Sequence, residues 1–403
     1  MLELHIWGPA FGLPSIDAHC LAALAYLQQA VPAGNWLVVA SSNPALSPTY
    51  ELPALKDDKI WIGGFRNIFH YVAQHSSGKW ILDAELEEQE EADCVAFSAF
   101  LDSHAQPLLD LSLYIMSENF TTITRPVYST FQPFPLPYLT PSARRSTARS
   151  HTAHLGLAAL DVETYIEAND PSLAGVPERL RKPRAEVSKI LTASSQTAAQ
   201  IRLDALASEC FEPLEALRAK KRYLVSNSQF TSLDCLALGY LSLMLIPELP
   251  QPWLARTMRQ KFPRLAAWTQ ELRTEIFGGA IGIGDVYGER RLSQASERLP
   301  WRKPETNSIW RISTNLISTI IEGYPSLAPL KARDKIMHQG GKVVSQSLVS
   351  NGFEVTLKSL GAICLATAAS VSCMWLKGVF SEDRILRDSE KVRSALEDAG
   401  NLA

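Results

Sequence analysis

The feature that most constrains the fold is a strand, a helix and a second strand within the first 40 residues. Residues 2–6 alternate between apolar and polar side chains, which is the period of a strand with one buried face. Ser15 is placed to cap a helix, whose apolar positions fall on one side: Ile16, Cys20, Leu24 and Leu27. Residues 36–40 form an unbroken apolar run, the pattern of a strand covered by helices on both faces. The sequence therefore predicts a β-α-β unit.

A further strand and helix complete an N-terminal domain of residues 1–80. Residues 52–55 form a Leu-Pro loop, residues 59–62 have strand character, and Gly63-Gly64 follows at once. The next helix has apolar residues at helical spacing, namely Phe65, Ile68, Phe69 and Val72. We expect a small sheet with helices packed against it.

Residues 86–277 predict a second, all-helical domain, because strand-like alternation nearly vanishes there. The clearest helix begins after Thr231, which is placed to cap it. Asp234, at the third helical position, is placed to accept a hydrogen bond from the backbone N–H of Thr231. A proline-rich and polar stretch at about 133–190 is interpreted as a loop insertion. Residues 278–357 are interpreted as a linker with some helix.

Composition narrows the function classes. The net charge of -3 gives no basic field of the kind that phosphate backbones require, so nucleic acid is not an expected partner. Two arginine-rich groups are interpreted as solvated loops: Arg144, Arg145 and Arg149, and Arg179, Arg181, Lys182 and Arg184. The six cysteines have no C-x-x-C spacing and are interpreted as reduced core residues, as in a protein exposed to the cytosol.

An uncharged stretch of 18 residues, 359–376, lies between Lys358 and Lys377. At about 1.5 Å per residue it would span about 27 Å as a helix, so it predicts one transmembrane helix followed by a charged tail, 377–403. Small residues repeat at every fourth position and predict close packing against a membrane partner: Ala362, Ala366 and Ser370. The alternative is a core helix of a soluble protein, and the side of the membrane that holds the tail stays open.

The N-terminal unit resembles the thioredoxin-like domain of glutathione transferases, and the helix after Thr231 resembles one in their helical domain. The resemblance implies an α+β fold in which a residue after the first strand activates a thiol. Ser15 could fill that role, although capping is the simpler interpretation. An acidic-Ser pair would hold the γ-glutamyl group, but this chain has Gly63-Gly64 there, without side-chain donors or acceptors.

Other catalytic and metal-binding patterns are weak. His19 and Cys20 are adjacent on a helix and so point apart, unlike a nucleophile and its base. His151 and His154 have ligand-like spacing, but no carboxylate or cysteine is near them in sequence. We expect no cofactor, no metal and no catalytic residue.

A more specific resemblance lies in the opening run of residues 2–15, Leu-Glu-Leu-His-Ile-Trp-Gly-Pro-Ala-Phe-Gly-Leu-Pro-Ser, which is similar to the start of fungal metaxin-family proteins. Further stretches fit the same pattern: residues 52–55, 63–68, 92–93 with Phe97 and Phe100, and 133–135. Within that family the chain is most similar to the larger metaxin-like subunit of the mitochondrial sorting and assembly machinery.

The metaxin resemblance implies a role without an enzymatic reaction. Such subunits lie on the cytosolic face of the mitochondrial outer membrane beside a β-barrel core subunit and a second metaxin-like subunit. They assist the insertion and release of β-barrel precursors, and import-translocase components are further expected partners. Two alternatives stay open, a membrane-anchored glutathione-dependent transferase that uses Ser15 and a soluble scaffold protein.

Overall fold

A five-stranded sheet forms the N-terminal layer of the computed structural model, which describes residues 1–133, 136–155, 186–287 and 299–302. The strands are β1 (Leu2–His5), β2 (Trp36–Val39), β3 (Ala54–Asp57), β4 (Ile60–Gly63) and β5 (Trp301–Arg302). Their order across the sheet is β4-β3-β1-β2-β5. β1, β2 and β5 run parallel, whereas β3 is antiparallel to both β1 and β4.

The predicted β-α-β unit is confirmed. α1 (Ala18–Ala30) connects β1 to β2, and the parallel register pairs Leu4 with Val38. Leu4 and Val38 are fully buried, as expected where side chains of alternate positions face a core. α2 (Phe65–His75) follows β4 and packs on α1, where the Tyr26 ring contacts Phe69 with centroids 5.5 Å apart.

The rest of the described chain is almost entirely helical, so the α+β class is confirmed. Its α-helices are α3 (Glu88–Phe100), α4 (Gln106–Asp110), α5 (Ser117–Asn119), α6 (Arg125–Phe131), α7 (Leu136–Thr152), α8 (Glu186–Arg218), α9 (Ser232–Leu245), α10 (Trp253–Lys261), α11 (Pro263–Phe277) and α12 (Ile283–Tyr287). π-helical turns connect several of them: Leu101–Ala105, Leu111–Ile115 and Phe120–Thr124.

α9 forms the centre of the helical layer, and its predicted start is confirmed. Thr231 is the N-cap, and its side chain accepts a hydrogen bond from the backbone N–H of Asp234. The Asp234 carboxylate in turn accepts from the backbone N–H of Thr231 at 2.9 Å. This reciprocal capping satisfies two backbone donors that the first helical turn leaves without partners.

α9 and α1 cross in close contact, which joins the sheet layer to the helical layer. The contact requires a glycine, because a Cβ at Gly239 would lie 2.2 Å from the carbonyl oxygen of Ala18. Only a residue without a side chain lets the two backbones approach so closely.

The predicted loop insertion at about 133–190 is helical at both described ends, in α7 and in the first residues of α8. The prolines suggested a loop, but Pro137 lies in the first turn of α7, where proline is tolerated because its missing N–H has no helical acceptor. The predicted linker, 278–357, contributes α12 and the edge strand β5. Its remaining residues, together with 359–376 and 377–403, lie outside the described residues.

Candidate functional site

Ser15 is the first position at which a transferase-like activity would have to operate. It lies between β1 and α1, it is fully buried, and its hydroxyl oxygen accepts a hydrogen bond from the backbone N–H of Asp17 at 3.3 Å. A hydroxyl directed into the core is not placed to meet a thiol from solvent. Ser15 is also not the helix cap that the sequence predicted, because the Asp17 side chain caps α1 by accepting from the Cys20 N–H at 3.1 Å.

Arg144 of α7 covers the start of α1. Its guanidinium lies 3.4 Å from the Asp17 carboxylate and 4.8 Å from the centroid of the Trp7 ring. The neighbouring Arg145 stacks on the Phe120 ring at 4.5 Å and donates to the Ser117 hydroxyl at 3.1 Å. The prediction that these arginines occupy a solvated loop is therefore wrong for Arg144 and Arg145, because α7 turns both side chains toward aromatic rings and polar partners.

Gly63-Gly64 occupies the second position that glutathione binding would need. A Cβ at Gly63 would lie 2.3 Å from the hydroxyl oxygens of both Ser47 and Thr49, so this loop closes directly on the strand backbone. The carbonyl of Gly63 accepts a hydrogen bond from the Asn67 side chain at 2.8 Å. Gly64 has a positive φ of 84°, which favours glycine. The structure thus uses both glycines for close packing and for a turn.

A polar network joins the sheet layer to the helical layer beside this region. The His19 imidazole of α1 lies 3.1 Å from the Asp102 carboxylate and 2.9 Å from the Tyr240 hydroxyl of α9. Tyr240 also donates to Asp102 at 3.1 Å, and Arg66 of α2 lies 3.8 Å from the same carboxylate. Four separate segments of the chain therefore meet at one charged cluster.

The network holds His19 in one orientation. Burial lowers the pKa of His19, but the hydrogen bond to Asp102 and the negative charges of Asp17 and Asp102 together outweigh burial and raise the pKa above its ordinary value. Cys20 points away into the core, where burial raises the pKa of its thiol, so the two residues do not form a nucleophile and base. The sequence-based interpretation that they point apart is confirmed.

We expect the interlayer network to make stability depend on pH. Because the pKa of His19 is raised in the folded state, its stabilising contribution is complete below about pH 6.5 and is lost as the pH rises through the folded pKa. His19→Gln keeps a hydrogen-bonding group but does not titrate. Urea unfolding from pH 5.5 to 8.5 should show the wild-type advantage, about 1 kcal/mol for a partly exposed pair, shrinking as the pH rises. A difference that stays constant with pH would contradict this role.

His151 and His154, which the sequence offered as a possible metal pair, belong to no larger cluster of possible metal ligands among the described residues. His151 lies 2.8 Å from Asp110, a carboxylate contributed by α4 that the local sequence did not reveal. Across residues 1–133, 136–155, 186–287 and 299–302, no group of three or more His, Cys, Asp or Glu residues could hold a metal ion. Burial raises the pKa of Asp110, and His151 moderates that effect.

Two family models match this chain. Residues 20–145 match Tom37, described as an outer mitochondrial membrane transport complex protein, and residues 207–272 match the glutathione S-transferase C-terminal domain. Metaxin-1 of Macaca fascicularis is 27% identical over 64% of this chain and 70% of its own length. The chain is similar to metaxin-family proteins over part of its length. The metaxin resemblance found in the sequence is thus confirmed, and the C-terminal domain match supports the transferase-like fold.

Other relatives match over shorter stretches of the chain. Human Metaxin-1 is 32% identical over 35% of the chain and 29% of its own length, and Metaxin-3 of Xenopus laevis is 32% identical over 35% and 44%. The chain therefore spans less than half the length of these two relatives.

Among solved structures, the beta-etherase LigF from Sphingobium sp. strain SYK-6 is 14% identical and covers 69% of this chain and 98% of its own, with a TM-score of 0.40. A glutathione S-transferase of Ceriporiopsis subvermispora in complex with glutathione is also 14% identical, covers 68% and 98%, and has a TM-score of 0.39.

The Tom37 match, residues 20–145, includes part of the candidate site. It begins one residue after His19, includes Asp102 and Arg144, and ends in α7. Sequence reasoning missed the contacts of these residues because their partners are far apart in the chain, 83 positions between His19 and Asp102 and 127 between Asp17 and Arg144. Arginines among prolines gave no signal of a helix that folds back over the N-terminal domain.

The sequence predicted one transmembrane helix, at residues 359–376. No helix within the described ranges combines the length and apolar character needed to cross a membrane. The predicted span, 359–376, and its packing residues Ala362, Ala366 and Ser370 lie outside those ranges.

Proposed function

We propose that this chain is a non-enzymatic subunit of the mitochondrial outer-membrane sorting and assembly machinery, and that it assists the insertion and release of β-barrel precursors through protein contacts. The observation that carries the proposal is the match of residues 20–145 to an outer mitochondrial membrane transport complex protein. The proposed partners are a β-barrel core subunit and a second metaxin-like subunit. β-Barrel precursors and import-translocase components are further proposed contacts.

The geometry of the transferase-like positions supports a binding role over a catalytic one. Ser15 is buried, and Gly63-Gly64 offers no side-chain group to a γ-glutamyl substituent. Arg144 is held by Asp17 and Trp7 across the start of α1. The fold therefore keeps its two layers while these positions serve packing, and its outer surfaces are left for protein partners. The glutathione-dependent alternative rests on the match of residues 207–272 to the glutathione S-transferase C-terminal domain.

Co-purification tests this function. A tagged full-length chain, isolated from mitochondria solubilised in a mild detergent, should recover a membrane β-barrel protein and a second metaxin-family chain in near-equal amounts. A tagged soluble protein of the same compartment serves as the control for nonspecific capture. Recovery of the tagged chain without any β-barrel protein would overturn the proposal.

The proposed location is the outer membrane, with the body on the cytosolic side and residues 359–376 as the anchor. We expect the wild-type chain to stay in the membrane pellet after carbonate extraction. Ala366→Arg places a charge near the middle of the span at a cost of about 2.5 to 3.5 kcal/mol, and should shift much of the chain to the supernatant. Ser381→Arg adds the same charge outside the span and should not.

Equal extraction of the two variants would show that residues 359–376 do not span the membrane. Release of the wild-type chain itself would favour the soluble scaffold that the sequence left open.

A further inference from the structure

The helix α3 is apolar on the side that faces solvent as well as on the side that faces the protein. α3 packs on α9, and its inner side carries Cys94, which is buried, and Phe97, which is partly buried against the core. Its outer side carries Val95, which is 66% exposed, and three exposed alanines: Ala92, Ala96 and Ala99. A surface helix in water normally has polar residues on its outer side, so this pattern indicates a binding surface.

The same side of α3 is acidic toward the start of the helix. Residues three and four positions apart are neighbours on a helix, so Glu88 and Glu91 lie in line with Val95. We name this set of exposed residues the outer stripe: Glu88, Glu91, Ala92, Val95, Ala96 and Ala99. The outer stripe is therefore acidic in the first turn of α3 and apolar over about two further turns.

The acidic end of the outer stripe belongs to a wider excess of negative charge. The sequence has no Lys or Arg between Lys79 and Arg125, whereas residues 83–93 include seven acids: Asp83, Glu85, Glu87, Glu88, Glu90, Glu91 and Asp93. No ion pair within the described part of the chain involves any of these seven. Acids in a first turn are favoured by the helix dipole, but acids three and four positions apart repel one another. A cationic partner would relieve that repulsion.

Two other occupants fit the outer stripe poorly. An anionic lipid surface would be repelled by the carboxylates. With a second copy of this chain, parallel outer stripes would place carboxylates against carboxylates. Antiparallel outer stripes would bury the carboxylates of each copy against the apolar part of the other, which costs desolvation free energy.

A partner helix fits the outer stripe in both shape and charge. The alanines permit a close approach, because the distance between packed helices depends on the side chains at the contact. At the apolar end, the partly buried Phe100 ring stacks on His104 with centroids 4.4 Å apart. A helix with its own apolar side would cover Val95, and Lys or Arg beside that side would meet Glu88 and Glu91.

We propose that the outer stripe of α3 docks a basic amphipathic helix of a partner protein. The apolar side of the partner helix covers Val95 and the alanines, and its cationic residues pair with Glu88 and Glu91. This proposal does not rest on the proposed function, because binding at α3 is measured without any other component of an assembly machinery.

Fluorescence anisotropy of a labelled peptide tests the docking. The probe is a helix of Ala, Leu and Lys, about four turns long, whose lysines flank a side of Ala and Leu. One control peptide carries Glu in place of Lys, and another has the same residues in an order that forms no apolar side. The full-length chain is held in phosphatidylcholine nanodiscs, and empty nanodiscs correct for binding of the peptide to lipid.

Two variants of the chain remove the groups that carry the docking. Glu88→Gln with Glu91→Gln removes two charges, and Val95→Gln removes apolar surface. The matched controls remove the same groups from exposed positions of α8: Glu209→Gln with Glu212→Gln, and Ile201→Gln. Ile201 is 66% exposed, as Val95 is. Substitutions at such exposed positions change stability little.

We expect the basic peptide to bind the wild-type chain with a Kd below about 100 µM, and each α3 variant to weaken binding by about fivefold to tenfold. The α8 variants should bind as the wild type does, and neither control peptide should bind. Equal weakening by the α3 and α8 variants, or equal binding of the reordered peptide, would overturn the docking.

Absence of binding to the wild-type chain would also overturn the proposal. Binding that appears only after deletion of residues 156–185, which include four basic residues, would assign the outer stripe to this chain's own segment, with the same consequence: Arg179, Arg181, Lys182 and Arg184.

Discussion

Replacing Gly239 with alanine is expected to lower the free energy of unfolding by about 3 kcal/mol, because the added methyl group would collide with the Ala18 carbonyl oxygen, 2.2 Å away. Alanine in a helix interior normally stabilises by about 0.5 to 1 kcal/mol relative to glycine, so the sign of the effect is itself diagnostic. The melting temperature of the full-length protein in detergent should fall by about 6 to 12 °C.

Gly282→Ala is the matched control for this prediction. A Cβ at Gly282 would meet nothing nearer than an Asp285 carboxylate oxygen at 3.5 Å, so this variant should melt within about 1 °C of the wild type. Equal stability of the two glycine variants would contradict the close crossing of α1 and α9, and with it the account of how the two layers are joined.

Replacing Asp234 with alanine is expected to cost about 3 to 4 kcal/mol. The carboxylate is fully buried and accepts from the Leu224 N–H at 2.8 Å, from the Thr231 N–H at 2.9 Å and from the Thr231 hydroxyl at 2.7 Å. Alanine removes the cap and leaves buried donors without acceptors, and each such donor costs about 1 to 3 kcal/mol. Chemical unfolding of the full-length protein measures the loss.

Asp234→Asn separates the role of the acceptor from that of the charge. Burial raises the pKa of Asp234 to about 6, so the ionised carboxylate is not strongly favoured at this site. Asparagine keeps one acceptor oxygen and the side-chain volume, and it should cost about 1 to 2 kcal/mol. If alanine and asparagine were equally well tolerated, the hydrogen bonds of Asp234 would not stabilise the start of α9.

Local patterns in the sequence predicted the elements whose causes are local. The alternation at residues 2–6 and the apolar run at 36–40 predicted β1 and β2, and Thr231 with Asp234 predicted the start of α9. In each case the side-chain pattern that predicts the element lies within a few residues of it, because periodicity and capping act between near neighbours in the sequence.

Contacts between distant residues were not predictable in the same way. Asp17, rather than Ser15, caps α1. Ser15 lies two residues before the cap position, and its side chain is buried. Arg144 was interpreted as solvated because its neighbours are polar, and only the fold of α7 brings it to Asp17 and Trp7. The need for glycine at 239 depends on a backbone about 220 residues away.

The layered architecture and the geometry at Ser15 and Gly63-Gly64 support one interpretation of this chain. The sheet and helical layers are joined by a tight helix crossing and by the network around His19. Ser15 is buried, and Gly63-Gly64 provides close packing and a turn. This geometry is the reason for proposing that the chain acts through protein contacts at its surfaces.

Chemical crosslinking of intact mitochondria, read out by mass spectrometry on the full-length chain, tests the central claim most directly. We predict crosslinks from lysines of the helical layer to a membrane β-barrel protein and to a second, metaxin-like chain. Crosslinks confined to soluble proteins would contradict an assembly subunit and favour a soluble scaffold. Retention of the purified chain on immobilised glutathione, with turnover lost in Ser15→Ala, would instead support an enzyme.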